Sequence, residues 1–387
     1  MPRYVIDEAA LRRNLEVLKG VADKTGVRIL LAQKAFSCPA TYPLCAKYLS
    51  GTTASSLFEA KHGHDNFGGE THVFAPAFIP GEMDEMLGLV DHIVFNSPRQ
   101  VALYGENAHA RGVSVGLRVN PEVSVATTPA YDPCSPGSRL GTTRTALDSQ
   151  LATPDFRLPA LDGLHFHCLC EQGVDELRKV LAGFECRFGD LLPQMKWVNF
   201  GGGHHITREG YDIDGLVALL NDFRARHPHL VVYLEPGEAI ALNAGTLEAS
   251  VLEVQPVGAD GVANVILDVS AACHMPDVLE MPYTPPILGA MKVEDGELGR
   301  GKGAFRPPFL YRFGGPTCLA GDVIGMYSFG KKLAEGDAVV FGDMAIYTMV
   351  KNNTFNGLNL PDIAIRRENG CIETLRHFGY DDFAARI

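Results

Sequence analysis

Between about residues 28 and 237 the chain carries eight short apolar runs, most of them separated by stretches long enough for a helix. They read RILLAQKA, GTTASS, HVFAPA, HIVFNS, SVGLRVN, LDGLHFHC, WVNFGGG and LVVYLEPG. Strands alternating with helices build a parallel sheet, because each crossover returns the chain to the same end. Eight such units predict a closed (β/α)8 TIM-type barrel. Most runs finish in polar or glycine residues at their C-terminal side, the rim where such barrels carry their active sites. Local helix signals agree with this layout. Asp7 can cap a helix whose Leu11, Leu15 and Leu18 form one stripe and which stops near Gly26. Ser97-Pro98-Arg99-Gln100 reads as a capping box with proline at the first helical position. The Pro-, Ser-, Thr- and Gly-rich stretch at residues 121–142 exceeds an ordinary barrel connection and reads as a functional loop.

After about residue 243 the pattern becomes strand-like, in TLEASVLEVQPV, GVANVILDVS, AVVFGDMAIYTM and GCIETLRHF, with turn residues between them. The expected organisation is a barrel over residues 9–243 and a mostly β domain formed by residues 1–8 and 244–387. Tyr4 to Ile6 would add an edge strand to that second domain, and residues 281–308 read as a surface loop.

Composition narrows the function classes. A chain of 387 residues with 46% hydrophobic and 21% charged residues has the profile of a two-domain globular protein. Its net charge of -12 argues against sequence-independent nucleic-acid binding and suits a cationic small molecule. Nine cysteines without a C-x-x-C indicate neither a disulfide framework nor a zinc ribbon, which points to a reducing cytoplasm. The charged opening MPRYVIDEAALRR lacks a signal peptide's apolar run, and nowhere do eighteen apolar residues stand together, so neither secretion nor a membrane span is expected.

The chemistry-bearing residues collect at strand ends. Lys34 lies in LLAQKAF, where desolvation would lower its pKa and make a neutral amine available for a Schiff base with an aldehyde cofactor; a lysine snorkelling at the rim is the plainer alternative. Gly201, Gly202 and Gly203 follow the seventh strand, either as ordinary turn chemistry or as a loop whose N–H groups point at phosphate oxygens. Glu235, in EPG, puts a carboxylate on the same rim, for a salt bridge or for function. His165 and His167 share one face of the sixth strand, as a hydrogen-bonded core pair or as metal ligands, although no H-E-x-x-H or carboxylate cluster accompanies them.

Taken in order, Lys34, the FH of LHFHC, the GGG loop, EPG, GPTC and YTMVKNNTFNG resemble the alanine-racemase-like (fold type III) decarboxylases of basic amino acids across nearly the whole chain. LAQKAF, SSLFEAKHG, FGGGHHI, EPGEAI and DMAIYTMVKNNTFNGLNLPDI are most similar to the polyamine branch, whose members act on carboxynorspermidine and carboxyspermidine. The resemblance implies pyridoxal 5'-phosphate as cofactor and no metal. It implies that Lys34 holds the cofactor covalently, His167 stacks on the pyridine ring and Glu235 pairs with the ring nitrogen. Gly201, Gly202, Gly203 and Tyr347 would bind the phosphate, Glu59 would lie near the ring, and Arg139, in SRLG, would orient the ring face or that carboxylate. Cys318 corresponds to a cysteine contributed across a homodimer interface, with Asp322 following it, and Cys318 or Lys34 would return a proton to the α-carbon. Their plainer readings are a helix-start glutamate, a surface-paired loop arginine, a buried hydrophobic cysteine and a core tyrosine.

Two departures from ornithine and diaminopimelate decarboxylases bear on the substrate. Glu238 stands where those relatives follow EPG with arginine, and Leu319 where they place an acid after the cysteine. Both favour a polyamine-like substrate over ornithine, lysine or diaminopimelate, and leave Asp268, Asp277 and Glu280 as candidates for the distal ammonium groups. A non-catalytic cofactor-binding homologue is the rival of a different class; the joint presence of Lys34, His167, Glu235, Cys318 and Tyr347 argues against it.

Overall fold

A computed structural model describes residues 2–293 and 308–387. The chain opens with β1 (Arg3–Asp7), and Asp7 caps the helix Glu8–Thr25 by accepting from the Ala10 N–H at 2.8 Å. That helix buries Leu11, Leu15 and Leu18, and Gly26 ends it at φ +67°.

Eight parallel strands then close on themselves: β2 (Arg28–Ala32), β3 (Gly51–Ala54), β4 (Glu70–Phe74), β5 (His92–Phe95), β6 (Ser114–Arg118), β7 (Gly163–His165), β8 (Trp197–Asn199) and β9 (Val231–Leu234). β9 returns to β2 through Arg28 and Tyr233, so no edge is left open. The crossovers are helical in most units, among them Leu57–Asn66, Pro98–Ala110, Val174–Phe188 and Ile213–Arg226. At Pro98–Ala110 the cap differs slightly from a capping box: Ser97 Oγ accepts from Gln100 N–H, but the Gln100 side chain reaches back to Asn96 N–H rather than to that of Ser97. Trp197 is buried in the barrel because Gly116 and Gly163 leave room for it. A Cβ at Gly163 would stand 2.1 Å from the indole and one at Gly116 2.3 Å from it.

The second unit comprises Met1–Leu11 and Ala241–Ile387, the first Arg12–Ile240. Its strands are β10 (Gly245–Val257), β11 (Ala263–Leu267), β12 (Ala290–Lys292), β13 (Phe309–Gly314), β14 (Val323–Phe329), β15 (Ala338–Gly342), β16 (Asp362–Arg366) and β17 (Ile372–Arg376). With β1 they form one sheet in the order β12-β14-β13-β11-β10-β1-β16-β17, with β15 also on β10. β1 is therefore not an edge strand. It pairs antiparallel with β10 and parallel with β16. The reason is legible in Tyr4, Val5 and Ile6, three consecutive buried apolar residues, the mark of a strand covered on both faces. The expected surface loop at 281–308 is also corrected in part, since Ala290–Lys292 pairs with β14; residues 294–307 of it lie outside the described residues. No described helix is long and apolar enough to cross a membrane.

Candidate active site

At the C-terminal rim of the barrel, Ala32, Lys34, Thr53, Phe74, Arg118, His165, His167, Gly202 and Glu235 are among the residues that line one open cavity, with about 360 Å³ of space unfilled by atoms. Five of the eight strands supply a polar or charged lining side chain at or just past their ends, which is how a closed parallel barrel gathers residues distant in sequence.

Lys34 sits in the turn just after β2 and faces this cavity; its side chain is open to it rather than sealed in the core, as the sequence suggested. The crowding barrel wall desolvates the amine all the same. That effect, with the Arg118 guanidinium, outweighs Glu235 and Glu59 and holds the pKa of Lys34 below the usual lysine range. Glu235 is buried. Its Oε1 accepts from Asn199 Nδ2 at 2.7 Å and its Oε2 from His165 Nε2 at 3.3 Å. Burial alone would push this carboxyl up, but His165 and Asn199 bring it down to about 2. Burial drives His165 the other way, below its ordinary value, so that near neutral pH it is an uncharged N–H donor to an ionised Glu235. His167 accepts the Gly202 N–H on Nδ1 at 2.8 Å, which leaves the proton of the neutral ring on Nε2. Burial and the nearby Lys34 and Arg118 charges keep it neutral.

The glycine loop is dictated by space. A Cβ at Gly202 would lie 2.3 Å from the Glu235 carbonyl oxygen, and one at Gly203 2.0 Å from that of Leu169, with Gly201 and Gly203 at φ +70° and +79°. Two of its N–H groups do not point at a ligand as the sequence suggested: Gly201 donates to Asn199 Oδ1 and Gly202 to His167, both at 2.8 Å. An amine of lowered pKa, a buried carboxylate fixed by two donors and a bare-backbone cradle on one cavity fit an aldehyde cofactor with a ring nitrogen and a phosphate.

The profile of the pyridoxal-dependent decarboxylases, C-terminal sheet domain, matches residues 3–345. The chain belongs to the pyridoxal-dependent decarboxylases. Among curated decarboxylases it is 41% identical to the carboxynorspermidine/carboxyspermidine decarboxylase of Campylobacter jejuni, over 100% of this chain and 98% of that one. It is 39% identical to the carboxyaminopropylagmatine decarboxylase of Synechocystis sp., over 100% and 95%. The crystal structure of the Campylobacter jejuni carboxynorspermidine decarboxylase complexed with norspermidine superposes with a TM-score of 0.89 at 40% identity, covering 100% of both chains. A diaminopimelate decarboxylase from Helicobacter pylori, at 17% identity over 100% and 96% of the two chains and a TM-score of 0.80, shares the fold.

Against this decarboxylase fold the remaining candidates divide. Glu59 is half-buried and accepts the Ser55 N–H at 2.7 Å; burial raises its pKa. Arg139 is exposed and is not among the residues that line the cavity; its carbonyl accepts from Asn96, and its charge helps lower the pKa of Arg118. The guanidinium in the cavity is Arg118, buried, 4.5 Å over the Phe74 ring and donating to the His167 carbonyl at 3.1 Å. Burial lowers its pKa to about 10. Sequence reasoning missed Arg118 and Asn199, although a charge closing the apolar run SVGLRVN is the same signal that singles out Lys34. Glu238 is half-buried at the start of the short helix Glu238–Ala241, and near enough to Cys170 to help raise that thiol to about 11, after burial.

In the sheet unit, Cys318 is exposed and its N–H donates to Asn356 Oδ1 at 2.9 Å. Asp322 is already engaged: it is buried and accepts from Ser270 Oγ at 2.8 Å, Thr317 Oγ1 at 2.6 Å and the Ala272 N–H at 3.3 Å, which ties down the loop carrying Cys318. Asp277 and Glu280 both pair with Lys351. Asp268 is half-buried with one oxygen on the Ser250 N–H at 2.7 Å, and burial raises its pKa. Tyr347 has φ +53°, a conformation costly for a bulky residue, of the kind that collects at functional sites.

Metal-ligand types also meet inside the barrel, in Glu70, His72 and His92. The two imidazoles are stacked, with centroids 4.0 Å apart and planes within 8° of parallel. In-plane lone pairs of parallel rings do not converge on a point, so this arrangement is a stacked pair rather than a chelate.

Proposed function

We infer that this chain decarboxylates carboxynorspermidine and carboxyspermidine to norspermidine and spermidine, a step of polyamine biosynthesis, using pyridoxal 5'-phosphate. The observation that carries the reading is the full-length similarity to decarboxylases of that name, joined to a cavity in which Lys34 and Glu235 share one wall-to-wall space. When bound, the cofactor supplies an electron sink conjugated to the α-carbon that loses CO2.

The residues divide the work. Lys34 Nζ, whose pKa its surroundings lower, would hold the cofactor covalently until the substrate α-amine takes its place. Glu235 would present its negative charge to the ring nitrogen and so keep a proton there, which favours the cofactor's role as electron sink. His167 would bear on the cofactor ring, Arg118 and Glu59 would orient it, and the Gly201–Gly203 loop would take its phosphate. Glu238 would attract an ammonium group of the substrate. We place the enzyme in the cytoplasm, consistent with nine free cysteines. It acts as a homodimer in which Cys318 enters the partner's site and moves a proton to the α-carbon. The exposed Leu319 and Phe355, beside Cys318 and its anchor Asn356, support that contact surface.

Purified Lys34→Ala is expected to lose CO2 release and the visible absorbance of bound cofactor together; retention of both removes the assignment. A panel of carboxynorspermidine, carboxyspermidine, carboxyaminopropylagmatine, diaminopimelate, ornithine and lysine tests the substrate, with kcat/KM highest for the first two. Sedimentation velocity of the holoenzyme tests the dimer.

A further inference from the structure

We propose that Asn199 is a positioning residue for the reaction, locking the carboxylate that serves the ring nitrogen to the glycine loop that serves the phosphate. This deepens the reading above and rests on it. Asn199 is the last residue of β8 and is fully buried. Its Nδ2 donates to Glu235 Oε1 at 2.7 Å, and its Oδ1 accepts the Gly201 N–H at 2.8 Å. Reversing the amide would set a donor against a donor and an acceptor against a carboxylate, so the orientation is fixed by its two partners. One side chain therefore spans the two ends of the cofactor cradle.

The residue type matters as much as the contact. An amide gives Glu235 a hydrogen bond without a charge that would neutralise it and without a proton that Glu235 could capture. The carboxylate thus remains directed and negative, with His165 donating to its other oxygen at 3.3 Å. The charged or titratable groups that face this carboxylate are His165 from β7, His72 from β4, Arg118 from β6 and Lys34 after β2.

The test is Asn199→Asp, which keeps the shape and the acceptor for Gly201 but replaces the donor to Glu235 by a second carboxylate. A hydrogen bond to a buried charge is worth about 10- to 100-fold, so kcat of the holoenzyme is expected to fall by about that factor at pH 8, with KM changed less than about threefold. Protonated aspartic acid restores a donor, so the deficit against wild type should shrink as pH falls toward 6, while Asn199→Ala shows no such recovery. The visible absorbance of the bound cofactor should titrate at a different pH from wild type in Asn199→Asp, a readout independent of turnover. If Asn199→Asp does not fold, Asn199→Ser, which keeps a short donor, carries the same comparison against Asn199→Ala in kcat and in the absorbance titration. Wild-type kcat and spectra in the folded aspartate variant, or in the alanine variant, overturn the inference. A wild-type enzyme that binds no cofactor and releases no CO2 overturns instead the reading on which it rests.

Discussion

Glu235→Gln keeps the shape of the ring-nitrogen partner and removes its charge. The carboxylate is 9% exposed, held by Asn199 and His165, and brought from 4.5 to about 2. That drop corresponds to about 3 kcal/mol in favour of the ionised form. It is a ceiling, because His165 is neutral near pH 7 and contributes through its N–H rather than a full charge. A glutamine can place its oxygen on Asn199 and its amide toward His165, whose Nδ1 has no partner among the described residues, so a tautomer switch absorbs the mismatch. The structural cost is then about 1 kcal/mol, and the apo-protein should melt close to wild type. The catalytic cost is larger. An uncharged neighbour no longer holds a proton on the ring nitrogen, and the loss of a charge-assisted hydrogen bond at that point, about 2–3 kcal/mol, lowers kcat about 100-fold. CO2 release under saturating substrate measures kcat, and the absorbance spectrum shows that cofactor is bound. A glutamine variant with bound cofactor and kcat within threefold of wild type would refute the role given to the Glu235 charge.

Three further outcomes follow from the packing. Burial lowers His92 to about 3 and His204, His205 and His274 to about 4, whereas unfolded histidines titrate near 6.5. Below that pH the unfolded chain takes up protons that the folded one refuses, so stability drops as pH falls from about 6.5 toward 4, by up to about 1.4 kcal/mol per pH unit for each group. Melting of the apo-protein between pH 7 and 5 should show a steep decline, flattened in His92→Phe, which keeps the stacking on His72; a pH-independent melting temperature contradicts this. Gly163→Ala drives a Cβ into the Trp197 indole and should destabilise by about 1–3 kcal/mol in urea, less in a Trp197→Leu background; equal costs in both would disprove the contact. Gly202→Ala forces the glycine loop off the end of β9, where the Glu235 carbonyl stands 2.3 Å from the new Cβ, and equilibrium dialysis should find cofactor bound at least about tenfold more weakly, an unchanged affinity counting against the cradle.

The barrel was legible because its signal is periodic and local: eight apolar runs at helical spacing admit few other closures. Lys34 and Glu235 were legible for a related reason, since a charge that ends an apolar strand has few structural uses. Arg118 carries the same mark at the end of β6, yet the motif SRLG drew attention to Arg139, which the structure leaves exposed on the long loop. Asn199 left no trace of this kind. Its meaning depends on a carboxylate 36 residues away and on a backbone N–H whose direction follows from the turn at Gly201. The strand β1 shows the converse, a local pattern read for its ends rather than its content: three apolar residues without alternation already exclude an edge with one face in water.

Substrate recognition shows where pairing decides what composition only suggests. Asp277 and Glu280 are acids in the right chemical class for polyamine ammonium groups, but Lys351, an ammonium of the same chain 74 residues from Asp277, already pairs with both. A substrate amine would have to displace an intramolecular partner whose effective concentration is far above any substrate's, for an exchange of like for like. Asp322 is more firmly committed still, with two hydroxyls and an N–H on its oxygens. Asp268, which no lysine or arginine among the described residues holds, carries the stronger claim. It accepts from the Ser250 N–H, and its raised pKa reflects a burial that a bound ammonium would compensate. The deciding property of a cation site is thus not the number of carboxylates in the stretch DVSAACHMPDVLE but how many of them the fold has left unneutralised.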